Sequence, residues 1–363
     1  MTAQSEVPRA RASYAGLSLY APDRRPCAVD LSDNTNAWGV PPAAERVVRA
    51  AAAESIARYP ELYAHSLKQA LAGYAGVSPS SIVTGCGSDD VLDSAIRAFG
   101  EPGDRLALPD PTFPMIPVFA RMNALVPMPV PLTAAYDVDA DQMLASDPAI
   151  VYLCSPNNPT GTTLARASIE SVVSRARGLV IIDEAYAEFA GDSAADLAAA
   201  SDRVLVVRTM SKAFGLAGLR VGYAIGAPPL VADVEKSRGP YKVDAVAGRA
   251  AIAALGDGMA WVRERIAAVV ELRARFIAAL RALGIEPLPS RANFVLAPVP
   301  NAAPVASAMR ARGVAVRPFE GLRAPAGTPL AAANGNAIRV TIGPWPMLEQ
   351  VLDALAEAMR QCA

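Results

Sequence analysis

The chain has almost no histidine. Its one imidazole, His65, stands before the helix-patterned segment SLKQALAGYAG, where a residue at the start of a helix with no chemical role accounts for it. That scarcity nearly excludes histidine-based catalytic triads and histidine-rich metal sites. Cysteine is sparse and unpatterned. Cys27, Cys86, Cys154 and Cys362 fit neither a zinc cluster nor a short secreted disulfide framework, so no metal site and a reducing, cytoplasmic setting are expected. No apolar run reaches the ~18 residues of a membrane span, and the opening MTAQSEVPRARAS lacks the apolar centre of a secretory signal. Neither sign of charge dominates. Lys plus Arg number 34 against 35 Asp plus Glu, which leaves no global field to draw nucleic acid or an anionic membrane.

What is present is a long, apolar chain. With 363 residues, 52% hydrophobic and 19% charged, it is globular and can bury a substantial core. Residues 1–45 are rich in proline and polar groups and read as an N-terminal arm and loop. From there helical patterns (near 45–58, 65–75, 89–99, 164–177 and 228–238) alternate with short runs dense in Val, Ile and Leu: SIVTG, RLALP, AIVYLCS, GLVIIDE, RVLVVR and VGYAIG. Continuous apolar strands alternating with helices imply an α/β fold with a mostly parallel sheet covered by helices on both faces. The pattern changes near 245. A long helix over 261–284, which reads as a solvated, domain-linking element, stops at Gly284 with Pro287 close behind, and the strand-like NFVLAPV and AIRVTIG follow among further helices. This divides the chain into an arm (1–45), a large domain (46–245) and a smaller C-terminal α+β domain (246–363).

Open α/β sheets bind ligands beyond the carboxyl ends of their strands, and polar signals gather there. SIVTGCGSDD ends in a glycine-rich turn that opens a helix, whose free N–H groups at Ser88 and Asp89 suit a phosphate. A dinucleotide fingerprint is rejected, because Asp90 stands where its third glycine would be. RVLVVRTMSKAFGLAGLR supplies Ser211, Lys212 and Arg220: a hydroxyl, a candidate amine nucleophile and a permanent cation whose nearness favours loss of the lysine proton. GLVIIDEAY delivers Asp183 from an apolar strand, where a lone carboxylate is costly and needs a cationic partner. The Asn-Asn-Pro-Thr-Gly stretch at 157–161 is either part of this site or only a turn.

SPNNPTG, DEAY and SKAFGLAGLRVGY, in that order, resemble the fold-type I pyridoxal-5'-phosphate (PLP) aminotransferases, in particular the histidinol-phosphate aminotransferase group, from about residue 20 onward. The resemblance implies that Lys212 holds the cofactor as a Schiff base and shuttles a proton, that Asp183 pairs with the protonated pyridine nitrogen, and that Asn158 and Tyr186 hydrogen-bond the ring's phenolic oxygen. It assigns the phosphate to Ser88, Asp89, Ser211 and Arg220 and ring stacking to Phe113. Tyr59 of RYPE is similar to the tyrosine that reaches the neighbouring subunit's cofactor, which implies a homodimer. Arg339, with Arg317, resembles the anion anchors of the substrate, and Tyr20, Asn36 and Gly39 match positions near it. Arg317 reads equally as a solvated arginine, and Tyr241 of GPYKVDAVAG reads either as the family's active-site tyrosine or as core packing.

The departures bear on the donor. Asn34-Thr35-Asn36-Ala37 replaces the usual Asn-Glu-Asn-Pro, Lys242 follows Tyr241 where asparagine is common, and Phe113 stands where tyrosine is frequent. The expected activity is transamination between glutamate/2-oxoglutarate and histidinol phosphate, or an aromatic amino acid as the nearest variant. The alternatives are a PLP lyase resembling threonine-phosphate decarboxylase and a PLP-binding regulator without turnover.

Overall fold

A computed structural model describes residues 9–19, 21, 23, 25–52 and 56–362. The strands run β1 (Val29–Asp30), β2 (Ile82–Cys86), β3 (Arg105–Asp110), β4 (Val126–Pro131), β5 (Ile150–Cys154), β6 (Leu179–Asp183), β7 (Val204–Thr209), β8 (Val221–Gly226), β9 (Phe294–Pro298), β10 (Val314–Ala315), β11 (Arg317–Phe319) and β12 (Ala337–Thr341). Seven form one sheet in the order β2-β8-β7-β6-β5-β3-β4. All its pairings are parallel except those of β8, which runs antiparallel to both neighbours. The carboxyl ends of β2, β3, β5, β6 and β7 therefore share one rim.

The unbroken apolar runs follow from coverage of both faces. Alternate side chains point to opposite sides of a strand. Val151, Leu153, Val180, Ile182, Val204 and Val206 feed one core, while Ile150, Tyr152, Leu179, Ile181, Leu205 and Val207 feed a second on the other face. The first core continues without a break into the three-stranded antiparallel sheet β11-β12-β9 and the helix Trp345–Cys362.

Three differences from the sequence reading have physical reasons. Strand β4, VPMPVP, went unread because it is half proline. It lies at the sheet's edge, and Val126 N–H bonds back toward Asp104 O, so Pro127, Pro129 and Pro131 turn their missing donors to the open side. The arm at 1–45 contains β1, paired in parallel with β10 through Val29 and Val314, and Leu31 O accepts from Thr341 N. The long helix, Met259–Ala282, is more than a solvated face. Val262, Val269, Arg273, Phe276 and Leu280 form a buried stripe, and Arg273 donates to Ala292 O at 2.7 Å. Among the described residues no helix is long and apolar enough to cross a membrane.

Beneath the rim, the short helix Ala187–Ala190 carries Glu188, whose two carboxyl oxygens are buried without a partner among the described residues. Burial pushes this carboxyl up from 4.5 to about 7, with Arg208 opposing and Glu184 adding to the rise. The folded chain thus keeps a proton that the unfolded chain has lost, so its stability falls as pH climbs from about 4.5 to about 7. Glu188→Gln cannot ionise. Its Tm is expected to gain on the parent's between about pH 4.5 and about pH 7 and to level off above that, and a Tm difference that stays constant across that range contradicts this assignment.

Candidate active site

The turn after β7 carries Lys212, which lines a cavity of about 630 Å³ at the rim. Its walls bring together Ser88, Asp89, Phe113, Asn158, Asp183, Tyr186, Ser211, Arg220, Arg317 and Arg339, all of them singled out from the sequence. The strand ends deliver Asp183 and the turn holding Ser211, and the N-terminus of the helix Ser88–Phe99 delivers Ser88 and Asp89.

Burial sets the chemistry of the two central groups. Desolvation pushes the Lys212 amine down from 10.5 to about 8. The positive charge of Arg339 is the next cause, Asp89 opposes it, and Arg220 acts more weakly, so the arginine expected to matter most ranks below Arg339. Nζ donates to Asp33 O at 3.4 Å. Asp183 is raised by burial to about 6, even though Tyr152 donates to its Oδ2 at 2.7 Å and Ala185 N–H to its Oδ1 at 3.0 Å. No protein cation forms a salt bridge with Asp183 among the described residues, so the carboxylate is poised to accept one from a ligand in the cavity. Glu184 beside it is already matched, with Arg208 Nε donating at 2.9 Å and Ser193 Oγ at 2.8 Å.

The anion cradle depends on missing side chains. Gly87, at φ +82, precedes the helix; a Cβ there would lie 2.4 Å from Nη2 of Arg220. A Cβ on Gly222 would lie 2.2 Å from Ser88 N. Bare glycines at both positions let the guanidinium and β8 close onto the helix N-terminus, where unpaired N–H groups and the helix dipole favour an anion. Arg220 reaches Asp89 at 3.3 Å and Ala217 O at 3.2 Å. Ser211 Oγ accepts from Thr209 Oγ1 at 2.9 Å, which leaves its own proton for a ligand.

Arg339 is almost fully buried. Nη1 donates to Asn158 Oδ1 at 2.6 Å and Nη2 to Ser32 O at 2.9 Å, and the guanidinium lies over the rings of Phe294 and Phe319. Arg317 is its cross-strand partner between β11 and β12, so both project from one face of the small sheet. Two fixed cations there suit a ligand with an anionic group.

Other singled-out residues do not line this cavity. Asn36 and Gly39 pack behind it: Asn36 Nδ2 donates to Ala213 O at 3.2 Å, and a Cβ on Gly215 would lie 2.2 Å from Gly39 O. They hold the loop that follows Lys212. Tyr59 is exposed and stacks on Tyr241 with ring centroids 4.9 Å apart, so Tyr241 is neither core packing nor part of this cavity's wall. Tyr20 lies outside the described residues. Lys242 is held by Asp90 at 2.7 Å and does not reach the cavity. Conversely, Asp33 and Phe319 line the cavity without having been singled out, and Asn34 and Thr35, noted only as departures from the family's pattern, line it as well. Tyr152 carried a usable signal: a phenol in an otherwise aliphatic strand needs a buried acceptor.

A family model described as aminotransferase class I and II matches residues 27–355. Relatives named histidinol-phosphate aminotransferase include one from Methylibium petroleiphilum, 41% identical over 83% of this chain and 81% of its own length. Another, from Thermoanaerobacter pseudethanolicus, is 34% identical over 83% and 84%. Among solved structures, histidinol-phosphate aminotransferase from Sinorhizobium meliloti in complex with pyridoxal-5'-phosphate superposes with a TM-score of 0.86 at 27% identity, covering 99% of this chain and 100% of that one. Aspartate aminotransferase from Thermus thermophilus shares the fold, with a TM-score of 0.77 at 23% identity over 92% of each chain.

The depressed Lys212 amine has a direct check. In the ligand-free protein, acetylation of Lys212 by acetic anhydride, followed by mass spectrometry, is expected to reach half its maximum near pH 8, well below the ordinary lysine value of 10.5. Arg339→Leu removes a positive charge and shifts that midpoint upward. A midpoint near the ordinary lysine value of 10.5 contradicts the assignment.

Proposed function

The chain belongs to the class I and II aminotransferases and is a PLP-dependent transaminase; from that premise we propose that it moves an amino group between glutamate/2-oxoglutarate and histidinol phosphate, with the cofactor seated in the cavity around Lys212. The observation that carries this reading is the convergence of an uncharged-capable amine, a buried carboxylate without a protein cation, and a glycine-lined anion cradle in one cavity.

These residues fit the group. When bound, PLP supplies an aldehyde that joins amines and a protonated ring that takes up the electron pair left as an α-bond breaks. Ser88, Asp89, Ser211 and Arg220 would hold its phosphate, with Gly87 leaving room for the guanidinium, and Phe113 would stack on its ring. Asp183 would keep the ring nitrogen protonated, since a buried carboxylate gains most from a cation beside it. Asn158 and Tyr186 would bond the ring's phenolic oxygen. Burial raises the Tyr186 phenol far above its usual range, so it stays protonated and serves as a donor. Lys212 takes the proton from the substrate's α-carbon, a role open to it because burial pushes its amine down to about 8.

Arg339 and Arg317 anchor the substrate's anion. The glutamate half-reaction presents a carboxylate and the histidinol phosphate half-reaction a phosphate, and two arginines on one face accommodate either. The names of the relatives favour transfer over the lyase alternative. The homodimer expected from Tyr59 is part of the proposal, and the exposure of its ring supports it. A cytoplasmic setting is proposed with it.

Two measurements test this reading. A panel of amino donors with 2-oxoglutarate, following glutamate and CO2 together, is expected to give glutamate from histidinol phosphate; CO2 from a phosphorylated amino acid without glutamate overturns it. Arg339→Leu is expected to raise KM for the anionic substrate at least about tenfold, or ~1.4 kcal/mol. Unchanged kinetics remove Arg339 from the substrate site.

A further inference from the structure

We propose that Asn34 is the positioning residue that aims the hydroxyl proton of Tyr186 into the cavity. The inference rests on the reading above, in which Tyr186 faces the cofactor's phenolic oxygen.

The orientation of the Asn34 amide is fixed by its neighbours. Asn34 N–H donates to Thr341 Oγ1 at 2.9 Å, so the Thr341 hydroxyl spends its own proton on Asn34 Oδ1, 3.3 Å away. With Oδ1 engaged there, Nδ2 is the end that faces Tyr186, and it donates to the phenolic oxygen at 3.0 Å. Tyr186 therefore accepts on one side, and its proton must be given elsewhere. No protein acceptor takes it among the described residues, and the side chain lines the cavity. An O–H whose oxygen already accepts a hydrogen bond is polarised into a stronger donor.

The backbone supports a dedicated role. Asn34 sits in the left-handed region at φ 57 and is 1% exposed. Asparagine reaches that region more readily than other non-glycine residues, and here the neighbours fix it there. Thr341 of β12 enforces it, and Asn293 adds a bond from Nδ2 to Asn34 O at 3.1 Å. Successive residues of the same loop touch two more site groups: Ser32 O accepts from Arg339 and Asp33 O from Lys212. The strap thus places anchor, amine and phenol relative to one another, and Asn34 adds the direction of one proton.

The test is the pH midpoint of the bound cofactor's visible absorbance in the holoenzyme. A donor to the anionic ring oxygen stabilises the deprotonated form and lowers that midpoint, so losing the donor raises it. Asn34→Asp keeps the shape and the bond from Thr341 but offers Tyr186 an acceptor, which turns its proton away from the cavity. Asn34→Gly removes the side chain while relieving the positive φ. Both variants are expected to raise the midpoint by about one pH unit, the size of a single hydrogen bond to a charged group. Tyr186→Phe is expected to do the same, and Asn34→Gly combined with Tyr186→Phe to add nothing further, as a residue acting only through Tyr186 requires. A normal midpoint in both Asn34 variants, with a raised one in Tyr186→Phe, overturns the proposal and leaves the proposed function intact. So does a fully additive double variant. A Tyr186→Phe midpoint equal to the parent's removes the phenol from the ring oxygen, and with it both this inference and that part of the functional reading.

Discussion

The site depends on keeping one amine, that of Lys212, away from water. A lysine in solvent holds its proton far above neutral pH and is useless as a nucleophile or base. Lys212 escapes that state because it stands where the sheet's carboxyl ends meet the N-terminal strap, with the charge of Arg339 adding to the desolvation. The same burial that lowers the amine raises Asp183, so one cavity brings together an amine that gives up its proton more readily and a carboxylate that waits for a cation. The two perturbations share one main cause, burial, and the small sheet adds to it at Lys212 through the charge of Arg339 on β12, the residue proposed to anchor the substrate's anion.

Much of this was legible in the sequence, for a physical reason. Strands covered on both faces read as unbroken apolar runs, so β2, β3, β5, β6, β7 and β8 stood out, and polar residues ending such runs could only be rim residues. Lys212, Asp183, Ser211, Arg220 and Asn158 were found that way, and the order of the motifs supplied the resemblance. Strand β4 was hidden by its prolines, which an edge tolerates.

The N-terminal contribution was illegible for a different reason. Asn34 reaches the site through bonds to residues about 150 and 300 positions away, and no local periodicity encodes such contacts. Sequence reading singled out Asn36 and Gly39, two to five residues further along, which support the loop after Lys212 without lining the cavity. Tyr59 and Tyr241 stack on each other at the surface, so their expected roles require a second copy of the chain or fall away. The departures that were read as changes in the donor pocket divide in the same manner: Thr35 lines the cavity, whereas Lys242 is spent on Asp90.

The central claim is that one amine, Lys212, joins the cofactor covalently at the rim. Borohydride reduction of the holoenzyme, followed by proteolysis and peptide mass spectrometry, reads this directly. The pyridoxyl mass is expected on the peptide carrying Lys212 and on no other. A pyridoxyl group on Lys68, Lys236 or Lys242, with Lys212 unmodified, would contradict the claim.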